Sequence, residues 1–216
     1  MTPLLPGAVA FVSAGPGAAD LITIRGALLL AQADTVLVDA LADPALRDWA
    51  PEARWIDVGK RGYRDCTPQP LIDALLVRHA QAGERVVRLK GGDVSIFGRL
   101  EEELEALARA GVACEVVPGV TAASAAAAAT QRPLTRRGTG RSVSLTTAVA
   151  AHPDRTPRLR DSRSADTEVF YMAGRRLGAL QRRLMQAGWS ADTPVCVVSR
   201  AGCPDQISSD HRLSDL

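Results

Sequence analysis

Three apolar, β-branched runs in the first half of this chain end directly in glycine turns. Ala8-Val9-Ala10-Phe11-Val12 leads to Gly15-Pro16-Gly17, Val86-Val87-Arg88-Leu89 to Gly91-Gly92-Asp93, and Val112 to Val117 to Pro118-Gly119. Amphipathic stretches separate these runs, and that alternation is the pattern of parallel strands joined by crossover helices. The expected fold class is therefore α/β. Glycine at the carboxyl end of such a strand also has a chemical meaning, because open α/β sheets bind ligands there and glycine lets the backbone approach them closely.

Capping and periodicity place the remaining elements. Thr23 opens a helix to about Ala33, and Val36-Leu37-Val38 forms a strand ending at Asp39. Thr67 is placed to cap a helix with Pro68 in its first turn, with Leu71, Ile72, Leu75 and Leu76 as its inward stripe and Gly83 as its end. A charged helix then turns Leu100, Leu104 and Leu107 inward and Glu101, Glu102, Glu103 and Glu105 largely outward. Charge and composition change at Pro118-Gly119, which sets the expected boundary between an N-terminal α/β domain, 1–118, and a C-terminal one, 119–216. The second opens with a small-residue helix from Thr121 to Thr130. Strands are expected at Ser142–Thr147, Glu168–Met172 and Val195–Ser199, and the polar stretch from His152 to Ser164 reads as an exposed loop.

Composition narrows the class of function. With 46% apolar and 23% charged residues over 216, the chain can bury a core and is not a disordered segment. Prolines and glycines interrupt the uncharged start, and no basic residue precedes Asp20, so neither a membrane span nor an export signal is expected. Cys66, Cys114, Cys196 and Cys203 are far apart without CxxC spacing, which argues against a disulfide framework or a zinc site and for a cytoplasmic setting with small buried thiols. His79, His152 and His211 have no partner ligands in sequence and are expected at the surface or half-buried; Trp49, Trp55 and Trp189 read as packing residues. Residues 1–118 carry 12 Lys+Arg against 16 Asp+Glu, whereas 119–216 carry 14 against 8, so the second half is basic. An aromatic content of 4% offers few stacking platforms for nucleic acid, which leaves a small polyanion as the better partner.

Among the motifs, Gly15-Pro16-Gly17 fails the dinucleotide pattern GxGxxG because residue 20 is Asp, and no Walker loop is present. Lys90-Gly91-Gly92-Asp93 is more informative, since paired glycines at a strand end favour close backbone approach to a ligand and Asp93 can accept hydrogen bonds.

Five stretches in order resemble the tetrapyrrole methylase family: Gly15 to Thr23, Val58-Gly59-Lys60-Arg61 with Thr67-Pro68-Gln69, Val86 to Asp93 through Phe97-Gly98-Arg99, Val117 to Ala122, and Phe170-Tyr171-Met172. The resemblance covers roughly residues 8 to 205. Within the family, Gly-Lys-Arg and Thr-Pro-Gln favour a member acting on uroporphyrinogen III over the later corrin-ring methylases. The resemblance implies a two-domain α/β fold, with a parallel sheet in the N-terminal domain, a mixed sheet in the C-terminal domain and the active site in the inter-domain cleft. It implies a homodimer using S-adenosyl-L-methionine, without a metal, to methylate carbons 2 and 7 of uroporphyrinogen III and give precorrin-2 for sirohaem or cobalamin.

Carried over residue by residue, the resemblance places Pro16, Gly91, Gly92, Asp93, Ile96, Thr121, Ala122 and Met172 around S-adenosyl-L-methionine, and Asp39, Arg99, Glu102 and Arg137 towards the tetrapyrrole. Arg132, Arg136, Arg137 and Arg141 are a dense group of permanently charged forks suited to a substrate with eight carboxylates. Asp39 or Glu102 is a plausible acceptor for the ring proton, and Arg99 is assigned carboxylate binding and charge stabilisation first. The chain departs from the family pattern at Val94 for proline, at Leu100-Glu101 for a glycine pair, at Ala40 for an arginine and at Arg136 for a histidine. It also stops at Leu216 where relatives continue, so the last sheet and part of the adenine pocket are expected to be incomplete. The competing expectations are a same-fold methyltransferase acting on ribosomal RNA or a modified protein residue, and a catalytically weak module that binds cofactor or tetrapyrrole.

Overall fold

The strands that end in glycine turns assemble side by side in one sheet. The computed structural model describes residues 3–59, 67–148 and 165–216. Its first sheet contains β1 (Val9–Ser13), β2 (Thr35–Val38), β3 (Arg54–Asp57), β4 (Val86–Lys90) and β5 (Cys114–Val117), all parallel, in the order β3-β2-β4-β1-β5. The crossover helices are α1 (Ile24–Leu30), α2 (Gln69–Gln81) and α3 (Leu100–Arg109).

Strand alternation splits the sheet's side chains between two cores. Ala10, Val12, Val36, Val38, Val87 and Leu89 pack with Leu29 and Leu30 of α1, whereas Val9, Phe11, Leu37 and Val86 pack with Ile72 and Leu76 of α2 and Leu107 of α3. Both faces are thus covered, and every residue of β1, β2 and β4 is buried. Each large apolar side chain withdrawn from water in this way stabilises the fold by roughly 1.5–3 kcal/mol. From β1 the chain crosses to β2 by α1 on one face, and from β4 it crosses to β5 by α3 on the other. The carboxyl ends of adjacent β1 and β4 therefore form the switch point at which open α/β sheets leave a crevice.

By internal contacts the chain divides into two compact units, Met1–Ala125 with Gly202–Pro204, and Ala126–Ala201 with Asp205–Leu216. The division falls within α4 (Ala122–Ala129), past the composition change at residue 118. In the second unit β6 (Val143–Thr147) pairs parallel with β7 (Thr167–Tyr171), and β8 (Pro194–Ser199) pairs antiparallel with β9 (Ile207–Arg212). Among the described residues, both pairing senses of a mixed sheet are present, in two separate ladders. Leu180 and Leu184 of α5 (Leu177–Gln186) and Leu213 form a small core with Phe170, Trp189 and Val195 against it.

Several local expectations are corrected. Pro68 rather than Thr67 is the N-cap of α2, which puts Pro70 in the first turn, where a missing N–H costs nothing; the inward stripe rotates to Ile72, Leu76, His79 and Ala80 and leaves Leu71 exposed. His79 is buried, with Nδ1 2.9 Å from Glu84 Oε2. Glu103 faces inward and is fully buried. Trp49 is exposed, whereas Trp55 packs against the first core and its indole N–H donates to the Ala50 carbonyl. Cys114 and Cys196 are exposed and Cys203 half-buried, so the described thiols are not small core groups. The polar elements β3, β9 and α5 were not anticipated. Lys60, Arg61, Cys66 and the stretch from His152 to Ser164 lie outside the described residues.

Candidate active site

The ladder between β1 and β4 continues past both strands and holds their two turns together. The Ala14 N–H donates to the Lys90 carbonyl at 2.8 Å, and Gly15 and Gly92 exchange bonds of 3.2 and 2.7 Å. The two turns then differ in access. A side chain on Gly17 would meet the Gly202 carbonyl carbon at 2.6 Å, and the Ala18 N–H donates to Gly202 O at 2.8 Å, so the chain itself closes the Gly-Pro-Gly turn, with Pro16 half-buried beside it. Gly92, at φ +71°, has nothing within 4 Å of where its side chain would stand. The backbone is open there, and only glycine combines that conformation with that space.

Asp93 braces this opening. One carboxylate oxygen accepts the Gly119 N–H at 2.8 Å; the other accepts the Ser95 N–H at 2.8 Å and the Ser95 hydroxyl. Burial works to raise the Asp93 pKa, but the bonds from Gly119 and Ser95 prevail and hold the carboxyl below its ordinary value. Below it, the buried Ser13 hydroxyl donates to the Val117 carbonyl at 2.8 Å and accepts the Val94 N–H at 3.1 Å. The loops after β1, β4 and β5 are therefore tied by Ser13 and Asp93. Ile96, whose N–H donates to the Asp93 carbonyl at 3.1 Å, is half-buried in the same loop; Thr121 and Ala122 are half-buried at the start of α4.

Asp39, Arg99 and Glu102, expected to face the tetrapyrrole, lie in two separate ion pairs, Arg99 with Glu102 and Asp39 with Arg88. Arg99 Nε and Nη2 donate to the two carboxylate oxygens of Glu102 at 2.7 and 2.6 Å, a bidentate pair on an exposed helix start. The Arg99 bond holds the Glu102 carboxyl below the usual carboxylate range. Arg99 is left-handed at φ +55°, as is nearby Phe97 at φ +54°. Such residues cost on the order of 1–3 kcal/mol each and persist where surrounding structure over-determines them.

Asp39, just past β2, is held instead by Arg88, whose Nη2 donates to Oδ1 at 2.7 Å. Among the described residues Oδ2 has no partner. Arg88 is buried, and its other nitrogens donate to the Leu37 and Leu89 carbonyls and to Glu103 Oε1, each at 3.3 Å. That same Glu103 oxygen accepts from Lys90 Nζ at 2.7 Å and from Gln69 Nε2 at 3.2 Å, while Oε2 is buried without a hydrogen-bond partner among the described residues. Burial, and then Arg88 beside it, lower the Lys90 pKa. This network was not anticipated. Its signal is two cations, Arg88 and Lys90, inside an otherwise apolar strand with both faces covered, and an acidic residue on the helix face that carries Leu100 and Leu107.

The arginine group belongs to the second unit. Arg132 pairs with both oxygens of Asp210, which raises its pKa. Arg136 and Gly140 close a short loop through bonds of 2.8 and 2.9 Å, with Arg137 at its tip. The Arg141 N–H donates to Asp166 at 2.9 Å. Arg136, Arg137 and Arg141 are exposed, and among the described residues no carboxylate pairs with their guanidinium groups. Met172, also in the second unit, is exposed just past β7 at φ +58°. No described group of His, Cys, Asp and Glu is arranged to hold a metal, and no described helix is long and apolar enough to cross a membrane.

Sequence and structure comparisons agree in what they find. The family model for tetrapyrrole (corrin/porphyrin) methylases matches residues 8–216. The chain is 42% identical over 212 residues to a uroporphyrinogen-III C-methyltransferase of Pseudomonas aeruginosa, covering 98% of this chain and 86% of that protein. It is 44% identical to a siroheme synthase of Gluconacetobacter diazotrophicus, of which it spans 45%. The fold matches the crystal structure of a Thermus thermophilus uroporphyrin-III C-methyl transferase complexed with S-adenyl homocysteine, with a TM-score of 0.83 at 36% identity over 96% of this chain and 84% of that one. With the glycine-lined edge of a parallel sheet and a match over nearly its whole length, the chain belongs to the tetrapyrrole methylase family.

Proposed function

We propose that this chain is an S-adenosyl-L-methionine-dependent methyltransferase that methylates uroporphyrinogen III at carbons 2 and 7 and yields precorrin-2. The observation that supports it most is the open backbone at Gly92, at the switch point of the sheet, in a chain 42% identical to a uroporphyrinogen-III C-methyltransferase. The methyl donor is read against Gly92, which offers bare backbone, whereas Gly91 is packed against Leu41, whose Cβ lies 2.6 Å from where its side chain would stand; Asp93, Ile96, Thr121 and Ala122 lie on the loops braced through Asp93 and Gly119.

S-adenosyl-L-methionine supplies an electrophilic methyl group on a sulfonium. The protein's task is then to align an electron-rich pyrrole carbon with it and to exclude competing geometries, a contribution that positioning alone can make large. Arg136, Arg137 and Arg141, whose forks pair with no carboxylate among the described residues, bind substrate carboxylates. Glu102 is committed to Arg99 and its basicity is reduced, so it orients the Arg99 fork towards substrate. Asp39 takes the proton released by the ring after methylation, through Oδ2, which no described residue bonds. The protein acts in the cytoplasm as a homodimer, with an N-terminal domain to residue 118 and a C-terminal domain from 119.

Anaerobic incubation with uroporphyrinogen III and methyl-labelled S-adenosyl-L-methionine should add two methyl masses to the product. Binding without any methyl gain would replace the enzyme by a binding module, and light scattering at a monomer's mass would remove the homodimer.

A further inference from the structure

We infer that Arg88 is a positioning residue that fixes the Asp39 carboxylate, and that buried Glu103 is its anchor. The inference rests on the reading of Asp39 as proton acceptor and extends it to residues that touch no substrate.

Arg88 is almost wholly buried, yet its guanidinium spans from the core to the carboxyl edge of the sheet. It is held at four points: the Leu37 and Leu89 carbonyls on either side, Glu103 Oε1 behind and Asp39 Oδ1 in front. β2 and β4 are in register here, with Leu37 opposite Arg88 and Val38 opposite Leu89, so the fork crosses to the end of the neighbouring strand. A planar fork gripped by strand carbonyls has little rotational freedom, and it imposes that restriction on the one carboxylate oxygen it meets. Asp39 is left with one oxygen fixed and the other without a hydrogen-bond partner among the described residues, an arrangement suited to a proton acceptor that must stay within hydrogen-bond reach of a defined atom.

Glu103 makes the arrangement selective for arginine. Its Oε1 receives Arg88, Lys90 and Gln69 together, and this buried carboxylate counters two buried cations. A lysine at position 88 would keep the charge opposite Glu103, but a single ammonium lacks the fork that joins Glu103, the two carbonyls and Asp39. The Arg88→Lys variant should therefore fold while releasing Asp39.

The test is a double-mutant cycle of Arg88→Lys and Asp39→Asn in the full chain, with turnover of uroporphyrinogen III, KM and S-adenosyl homocysteine affinity measured for each. Arg88→Lys should lower kcat on the order of tenfold while KM and S-adenosyl homocysteine affinity stay within about twofold. In the Asp39→Asn background the same change should have almost no further effect, because its target is already gone. Equal factors in both backgrounds would overturn the inference. A crystal structure of Arg88→Lys provides a readout independent of turnover: Asp39 should leave its single rotamer, and an unmoved Asp39 carboxylate would also overturn it. Absence of turnover in the unmodified chain would instead remove the substrate reading, with the crystallographic arm still deciding whether Arg88 fixes Asp39.

Discussion

Arg88 in the first unit and Arg136, Arg137 and Arg141 in the second are placed in opposite ways. In the first, Arg88 is sealed inside a sheet covered on both faces and is matched atom by atom to carbonyls and carboxylates. In the second, Arg136, Arg137 and Arg141 stand exposed near short paired strands whose residues are half-buried or exposed. A buried cation must find its partners within the fold, because an uncompensated charge there is destabilising; an exposed one can await a partner from solution. Arg88 is therefore architectural, whereas the guanidinium groups of Arg136, Arg137 and Arg141 meet no carboxylate among the described residues, as the proposed substrate-binding role requires.

The largest effect that would expose this contrast is at Glu103. Glu103→Leu leaves Arg88 and Lys90 without their shared acceptor and should destabilise the protein by about 3–5 kcal/mol in denaturant unfolding. A loss below about 1 kcal/mol would mean that water replaces the carboxylate. Core truncation comes next. Leu107→Ala in the first unit should cost about 3–4 kcal/mol and Leu184→Ala in the smaller core of the second about 2, and a reversed order would show that the covered sheet relaxes more easily than its packing implies.

Arg137→Ala addresses ligand binding instead. It should weaken tetrapyrrole binding about tenfold, or 1.4 kcal/mol, and leave S-adenosyl homocysteine affinity unchanged by calorimetry; equal losses would point to a folding defect. The smallest effect concerns pH. Since folding depresses the Asp93 pKa, its stabilising contribution is present above the unfolded value of about 3.9 and disappears as pH falls through the lower folded value. Acid unfolding followed from about pH 5 to about pH 2 should thus be less steep for Asp93→Asn than for the unmodified chain.

What could be read from sequence follows the same division. β1, β4 and β5 were legible because apolar runs closed by glycine have few alternative folds; of the paired glycines after β4, Gly92 is open and Gly91 is packed against Leu41. β9, with the sequence Ile-Ser-Ser-Asp-His-Arg, carries no apolar alternation, and its pairing with β8 is a tertiary fact. Glu103 was misjudged because an acidic residue in an acidic run reads as solvated, although its helical position places it with Leu100 and Leu107; only the two cations across from it explain why burial is tolerated. Gly17 presented the opposite difficulty. Its role is close packing against Gly202, a partner far away in sequence that no local pattern indicates.

That last contact bears on how the chain is made. Because Gly202–Pro204 belongs with the first unit, that unit lacks a piece until residue 204 has been made, well after its five strands. A nascent chain can assemble the sheet and must then wait for its final fastening, and a fragment cut after Ala125 would be released without it.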